Sequence, residues 1–221
     1  LECPAGCGMT VRTREGRATN VEGNPDHPLS QGGLCVRGQA SLQGLYNPDR
    51  HKAPLRRKSN GAIEPLNWDE ALKVLSEKLS PLSAGTAKDR VAIISSAQGP
   101  AMNRLTHEWL AAFNSSRLLI HEAFSLAPLR EANRILFGKA VVSMPQIASA
   151  DYLISFGADY LETWLAPVAF TRGFAGMRGA QVQAKDKQAQ SRPERIIHIE
   201  PRLSLTAASA DQWFAPVPGT E

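Results

Sequence analysis

Cys3, Cys7 and Cys35 are the only thiols in this chain. Two of them share one short turn-rich stretch, ECPAGCG, and the third sits in GGLCVRGQ, a spacing of Cys3-x3-Cys7-x27-Cys35. Thiolates presented from turns at such spacing suit zinc or an iron–sulfur cluster. A disulfide would pair two of the three and leave one over, and nothing else marks a small secreted scaffold. Zinc takes four ligands, which His27 would complete with the three cysteines.

The elements that must hold these residues change character along the chain. In the first 60 residues, MTVRTREGRATNVEG alternates as two strands joined at Glu15-Gly16, and NPDHPLSQGG is a loop leading to Cys35. HKAPLRRKSNGAIEPL looks like a connector with one turn at Asn60-Gly61. Asn67 with Glu70 forms a capping-box-like start, after which Trp68, Ala71, Leu72, Leu75 and Leu79 trace one helical face. Strand and helix then alternate. Strands are predicted at 90–96, 117–121, 152–157 and 195–201, with a short fifth at 213–217. Helices are predicted around 101–113, 128–137 and 163–176, the second stopped by Gly138. The polar segment 178–195 reads as an exposed loop. Apolar strands alternating with helices imply a parallel sheet covered on both faces, binding ligands at the carboxyl ends of its strands. Two such ends stand out, GADYLETW and EPRLSLT. The fold class is therefore α/β, a small β-rich domain over 1–60 followed by a Rossmann-like parallel-sheet domain over 61–221.

Composition narrows the partners. Hydrophobic residues make up 43% and charged residues 21%, the proportions of an ordinary globular protein, and no apolar run approaches the length of a membrane span. The net charge of +4 lies in the first 60 residues, which hold nine Lys or Arg against five Asp or Glu. Tyr46 is the only aromatic residue before Trp68, so the basic segment lacks the stacking platforms of a nucleic-acid surface. A basic rim around an anionic cofactor or cluster fits better. The chain starts on Leu1 and closes on PVPGTE, and is expected to be a piece of a longer protein.

CPAGCG, VEGNPDHPLSQGGLCVRGQ and YNPDR resemble the amino-terminal cluster domain of the molybdopterin oxidoreductase family. That family's pattern is Cys-x2-Cys-x3-Cys and, after a long interval, a fourth Cys, of which Cys3, Cys7 and Cys35 match the last three. The resemblance implies an iron–sulfur cluster with these residues as metal ligands: a 4Fe-4S cluster if a Cys stands one residue before Leu1, a three-iron or lost cluster otherwise. SADYLISFGADYLETW, HIEPRLSLTAASADQW and the closing PGTE look like the family's nucleotide-binding half-domain. By that resemblance Gly157, Ala158 and Asp159 would lie near the phosphates of a molybdopterin guanine dinucleotide, Glu200, Pro201 and Arg202 near its ribose, and Thr220 and Glu221 near its guanine. Carboxylates at strand ends can accept such hydrogen bonds, although an acid after a strand is also a common helix cap. Arg37, two residues after Cys35, matches the basic residue that relatives place between cluster and pterin. It can equally be a surface arginine paired with a carboxylate.

Family members that do molybdenum chemistry ligate the metal through Cys, selenocysteine, Ser or Asp, on a loop corresponding here to HEAFSLAPLREAN (121–133). Ser125 is the only hydroxyl there, and it also reads as a helix cap before Leu126. HEAFSLAPLREANRILFG with GADYLETWLAPVAF looks most like the large iron–sulfur subunit of alternative complex III and polysulfide-reductase-like relatives. That branch implies a pterin fold without molybdenum turnover, inside a membrane-bound respiratory complex with ferredoxin-like and cytochrome or quinone-handling subunits. It further implies a place at the periplasmic side and electron transfer rather than independent enzyme activity. Two other functions stay open: a catalytic oxidoreductase using the bis-molybdopterin guanine dinucleotide cofactor, and a non-redox structural module with zinc or no metal.

Overall fold

The computed structural model describes residues 3, 5–83, 88–179 and 195–220. Most of the polar segment 178–195, and Glu221, lie outside the described residues. Chain contacts divide the protein into two compact units, one from 1–42 with 133–221 and the other from 43–132.

The first unit opens with the antiparallel hairpin of β1 (Met9–Arg14) and β2 (Arg17–Gly23). Glu15 and Gly16 turn it with positive φ angles of 50° and 76°, the two left-handed positions that a tight hairpin turn needs. A loop then leads to α1 (Val36–Leu45), a helix that the sequence pattern does not announce. Its two glycines and weak apolar periodicity hide it. Later in the chain, β7 (Tyr152–Phe156), β8 (Arg195–Ile199) and β9 (Gln212–Phe214) form a parallel sheet in that order. The helices α5 (Pro167–Met177) and α6 (Leu205–Ser209) and a 3-10 turn at Ile147–Ser149 accompany it. Strand alternation puts Leu153, Ser155, Ile196 and His198 on one face. That face meets the core of Ile147, Tyr160, Leu161, Ala166, Phe170 and Met177, with Trp164 stacked on Phe170 at 5.4 Å.

The second unit holds α2 (Trp68–Ser83), α3 (Pro100–Ala111) and two small sheets. The expected capping box forms: Asn67 Oδ1 accepts the Glu70 N–H at 2.8 Å, and Glu70 Oε2 accepts the Asn67 N–H at 3.3 Å. An N-cap of this kind contributes about 1 kcal/mol. The expected connector is itself a hairpin, with β3 (Leu55–Arg57) paired to β4 (Ile63–Pro65) around Asn60-Gly61. Strands of three residues are too short for their alternation to be legible. β5 (Ala92–Ser95) and β6 (Arg117–Ile120) run parallel, with α3 as their crossover. α4 (Ala127–Phe137) then carries the chain back to the first unit and stops at Gly138, where φ is +70°.

The sequence pattern pointed to one parallel sheet covered on both faces. Among the described residues there are two parallel sheets, β5–β6 in the second unit and β7–β8–β9 in the first. The face of β7–β8–β9 opposite that core leaves Tyr152, Ile154, Phe156 and Phe214 exposed. Alternation identifies strands, but which strand edges meet is settled by contacts between residues distant in sequence.

Asp211 ties α5 to β8. Its Oδ1 lies 3.0 Å from Arg178 Nη1, and its Oδ2 accepts the Ile196 N–H at 2.7 Å. The hydrogen bond from Arg178 holds this carboxyl below the usual carboxylate range, aided by the Ile196 N–H and opposed by partial burial. A folded-state value below the unfolded one means stability that is complete above the ordinary aspartate range and lost as pH falls through the depressed value. Asp211→Asn should therefore show a smaller drop in melting temperature than the parent between about pH 6 and about pH 3. Thermal melts across that range check it, and equal drops would show that this carboxylate does not carry the acid sensitivity.

Candidate functional site

Cys3 and Cys7 sit on a tight turn in which the Gly6 N–H donates to the Cys3 carbonyl at 3.3 Å. Cys35 caps α1, its carbonyl accepting the Gln39 N–H at 3.1 Å. It thus stands at the positive end of a helix dipole, which favours a negatively charged group. All three are free thiols and partly shielded. Burial pushes the Cys7 thiol up from its ordinary value, and the nearby Cys3 and Cys35 push it further. The fold therefore brings together all three cysteines singled out by spacing. Among the described residues no three His, Cys, Asp or Glu side chains converge tightly enough to hold a single metal ion. A soft, all-thiolate donor set suits an iron–sulfur group. His27, the candidate fourth zinc ligand, instead turns Nδ1 toward Ser30, 3.0 Å from its Oγ. Arg37 is exposed in the first turn of α1, and no ion pair reaches it from the described residues.

The second candidate region lies at the carboxyl ends of β7 and β8, where a parallel sheet presents its loops. Gly157 follows β7 with φ +62° and donates its N–H to the Ile199 carbonyl at 2.9 Å. The Ala158 carbonyl accepts the Ser155 hydroxyl and the Tyr160 N–H. Asp159 is only 4% exposed. Its Oδ1 accepts the Thr206 hydroxyl at 2.7 Å, and its Oδ2 accepts the Thr163 hydroxyl at 3.2 Å and Arg202 Nη2 at 3.0 Å. Its carbonyl takes the N–H groups of Glu162, Thr163 and Trp164. Arg202, 59% exposed in its side chain, also lies 3.8 Å from Glu200 Oε1. Glu200 Oε2 is 3.0 Å from His198 Nε2, and the Glu200 carbonyl accepts the Trp213 indole N–H at 2.8 Å.

His198 is fully buried, and its Nδ1 meets no partner among the described residues. A bare acceptor there is cheaper than a stranded donor, so the ring proton belongs on Nε2, donating to Glu200. Tyr160, also buried with no partner for its hydroxyl among the described residues, has its pKa pushed up to about 12 by burial.

Asp159, Glu200 and Arg202 are thus gathered as the sequence suggested, but onto one another. Pro201 lies between the latter two, partly exposed. Thr220 closes its own turn, donating to the Val217 carbonyl at 2.7 Å. Ser125, in the other unit, accepts the Ala127 N–H at 3.2 Å and so caps α4, beside Glu122, which accepts the Leu126 N–H and pairs with Arg130 at 3.0 Å. Sequence reasoning missed Thr206 and His198 as partners of the two carboxylates. Ser204, which caps α6 by accepting the Ala207 N–H, was the one signal that a helix places Thr206 there.

Residues 50–221 match the family described as molybdopterin oxidoreductase, and residues 2–47 match the molybdopterin oxidoreductase Fe4S4 domain. The chain belongs to the molybdopterin oxidoreductase family. The family names indicate an iron–sulfur cluster and a molybdopterin cofactor. Among curated relatives, the menaquinone reductase molybdopterin-binding-like subunit of Nitratidesulfovibrio vulgaris is 31% identical over 99% of this chain and 30% of its own length. The molybdopterin-containing subunit of an arsenate respiratory reductase from Shewanella is 24% identical over 99% of this chain and 25% of its own length. The chain thus spans under a third of these relatives. The solved structure of acetylene hydratase from Pelobacter acetylenicus superposes with a TM-score of 0.61 over 96% of this chain and 28% of that one, at 18% identity, which establishes the shared fold.

Against these cofactors the two regions differ. The thiols suit the cluster. At the strand ends the chain's own donors engage both oxygens of Asp159 and one oxygen of Glu200. Removing the Asp159 carboxylate leaves the buried Thr206 hydroxyl and the Arg202 guanidinium without it. Asp159→Ala should cost about 3 kcal/mol of stability, and Asp159→Asn, which keeps an acceptor for Thr206, about 1 kcal/mol. Denaturant titration checks the order, and two equal, small losses would show that the network is not structural.

Proposed function

We propose that this chain is part of the large iron–sulfur subunit of a respiratory, quinol-linked electron-transfer complex, related to alternative complex III and polysulfide-reductase-like proteins, without molybdenum turnover of its own. The observation that carries the reading is the contrast between the two regions: three thiols gathered for a cluster, and strand-end carboxylates closed on Arg202, Thr206 and His198. Ser125 supports it as well, since its oxygen is engaged in capping α4. So does the relative named as a molybdopterin-binding-like subunit of a menaquinone reductase.

On this reading residues 1–60 form the cluster domain and 61–221 the dinucleotide-type fold. Cys3, Cys7 and Cys35 hold an iron–sulfur cluster, and a 4Fe-4S form takes its fourth ligand from outside these three. When bound, that cluster supplies a one-electron carrier. The chain's own contribution is to shield the thiolates partly from water, to set Cys35 at the start of α1, and to leave Arg37 exposed two residues on as a positive charge beside the site. Its partners are other subunits of a membrane-bound complex, ferredoxin-like and cytochrome or quinone-handling, on the periplasmic side. No helix among the described residues is long and apolar enough to cross a membrane.

The test is a metal inventory by mass spectrometry on the full-length protein purified anaerobically from its native membrane. Iron without stoichiometric molybdenum is the expected result. Iron and molybdenum in stoichiometric amounts would instead support a catalytic bis-pterin oxidoreductase, and zinc or no metal would support a structural module.

A further inference from the structure

The arms carrying Cys7 and Cys35 are separated by 27 residues of chain, and one buried side chain joins them. Ser30 is 1% exposed. Its Oγ accepts the N–H of Gly8, the residue after Cys7, at 3.3 Å. Its carbonyl accepts the N–H of Gly33, two residues before Cys35, at 2.7 Å. A single residue therefore holds both arms, one through its side chain and the other through its backbone.

His27 orients it. Ser30 Oγ lies 3.0 Å from His27 Nδ1, and the Ser30 N–H donates to the same nitrogen at 3.2 Å. The hydroxyl accepts from Gly8, so its own proton is free to go to Nδ1. With two donors aimed at it, Nδ1 is bare and the ring proton sits on Nε2.

The surroundings leave little room to relax. A Cβ on Gly8 would come within 2.7 Å of the His27 ring, and one on Gly33 within 2.6 Å of Val168 Cγ1, so both attachment points need glycine. The Asn24 carbonyl accepts the N–H groups of His27 at 3.2 Å and Gly32 at 2.8 Å. Gln31, next to Ser30, is held at φ +42° and gripped from α5 by Arg172, whose Nη1 reaches its carbonyl at 3.2 Å and Nη2 its Oε1 at 2.7 Å. A non-glycine residue keeps such a backbone only where its neighbours enforce it.

We propose that Ser30, oriented by His27, is the positioning residue of the cysteine site: it sets the separation of Cys7 and Cys35, and with it the retention and reduction potential of the iron–sulfur group they hold. The proposal rests on the reading of a cluster at these thiols. Reduction potentials of clusters respond to hydrogen bonding and solvent exposure around the sulfurs. Losing Ser30 Oγ frees the Gly8 N–H beside Cys7 and loosens the arm that shields it.

The experiment uses the full-length protein, purified anaerobically with its cluster, as parent, Ser30→Ala and Ser30→Thr. The midpoint potential is read by redox titration monitored by electron paramagnetic resonance, and cluster retention by the rate of iron release to a chelator. Ser30→Ala should shift the midpoint and release iron about fivefold faster, the factor set by one hydrogen bond of about 1 kcal/mol. Ser30→Thr, which keeps the hydroxyl, should return both toward the parent. A Ser30→Ala protein with parental midpoint and release rate overturns the proposal. If that variant does not accumulate folded, His27→Phe decides, because it keeps a ring against Gly8 while removing the Nδ1 acceptor that orients Ser30; a parental midpoint there also overturns the proposal. A parent protein that contains no iron sinks the cluster reading itself, whereas an iron-loaded parent with an unaltered Ser30→Ala variant sinks the positioning role alone.

Discussion

The Cys7 thiol, partly buried and near Cys3 and Cys35, resists ionisation, because burial withholds the water that would offset the charge and a neighbouring negative charge disfavours the thiolate. Cys7 shows both effects in its raised pKa. A bound cationic group reverses the balance, turning mutual repulsion into shared ligation. The cysteines must still be held in place without help from one another, and the first 42 residues are organised around that requirement. The turn at Cys3–Gly6 and the cap at Cys35 each fix one arm through backbone groups, and Ser30 holds both, one through its hydroxyl and the other through its carbonyl. Arg172 then secures the loop to α5, so the cysteine arms and the β7–β8–β9 sheet belong to one compact unit.

The carboxyl ends of β7 and β8 follow a different logic. Asp159 is a buried anion, and a buried anion is tolerated only when its oxygens are satisfied. Thr206, Thr163 and Arg202 satisfy them, and in doing so join the loop after β7 to α6 and to the segment after β8. Glu200 is balanced in the same way by His198 and Arg202. These contacts hold the strand-end loops to one another.

The apolar face formed by Tyr152, Ile154, Phe156 and Phe214 belongs to the same sheet and is exposed. Parallel strands are ordinarily apolar on both faces because helices cover both. The residues keep that character. The relatives' greater length is consistent with such a sheet being one part of a larger layered fold.

Local chemistry was legible in the sequence because it depends on near neighbours. The turn at Glu15-Gly16, the capping box of Asn67 and Glu70, the stop at Gly138 and the period of the strands all follow from residues within a few positions of one another. Cysteine spacing likewise marks out the thiol site by itself. What the sequence could not reveal was the choice of partner across long distances. Ser30 reaching Gly8, Thr206 and Arg202 reaching Asp159, and the division of the parallel strands into two sheets join segments whose approach leaves no periodic trace. Spacing alone made His27 a candidate metal ligand, and resemblance made Asp159 a cofactor contact. Tertiary structure decided which partners these groups take within the chain, because a buried polar group takes the nearest complementary partner the fold provides, and only the folded chain determines which one that is.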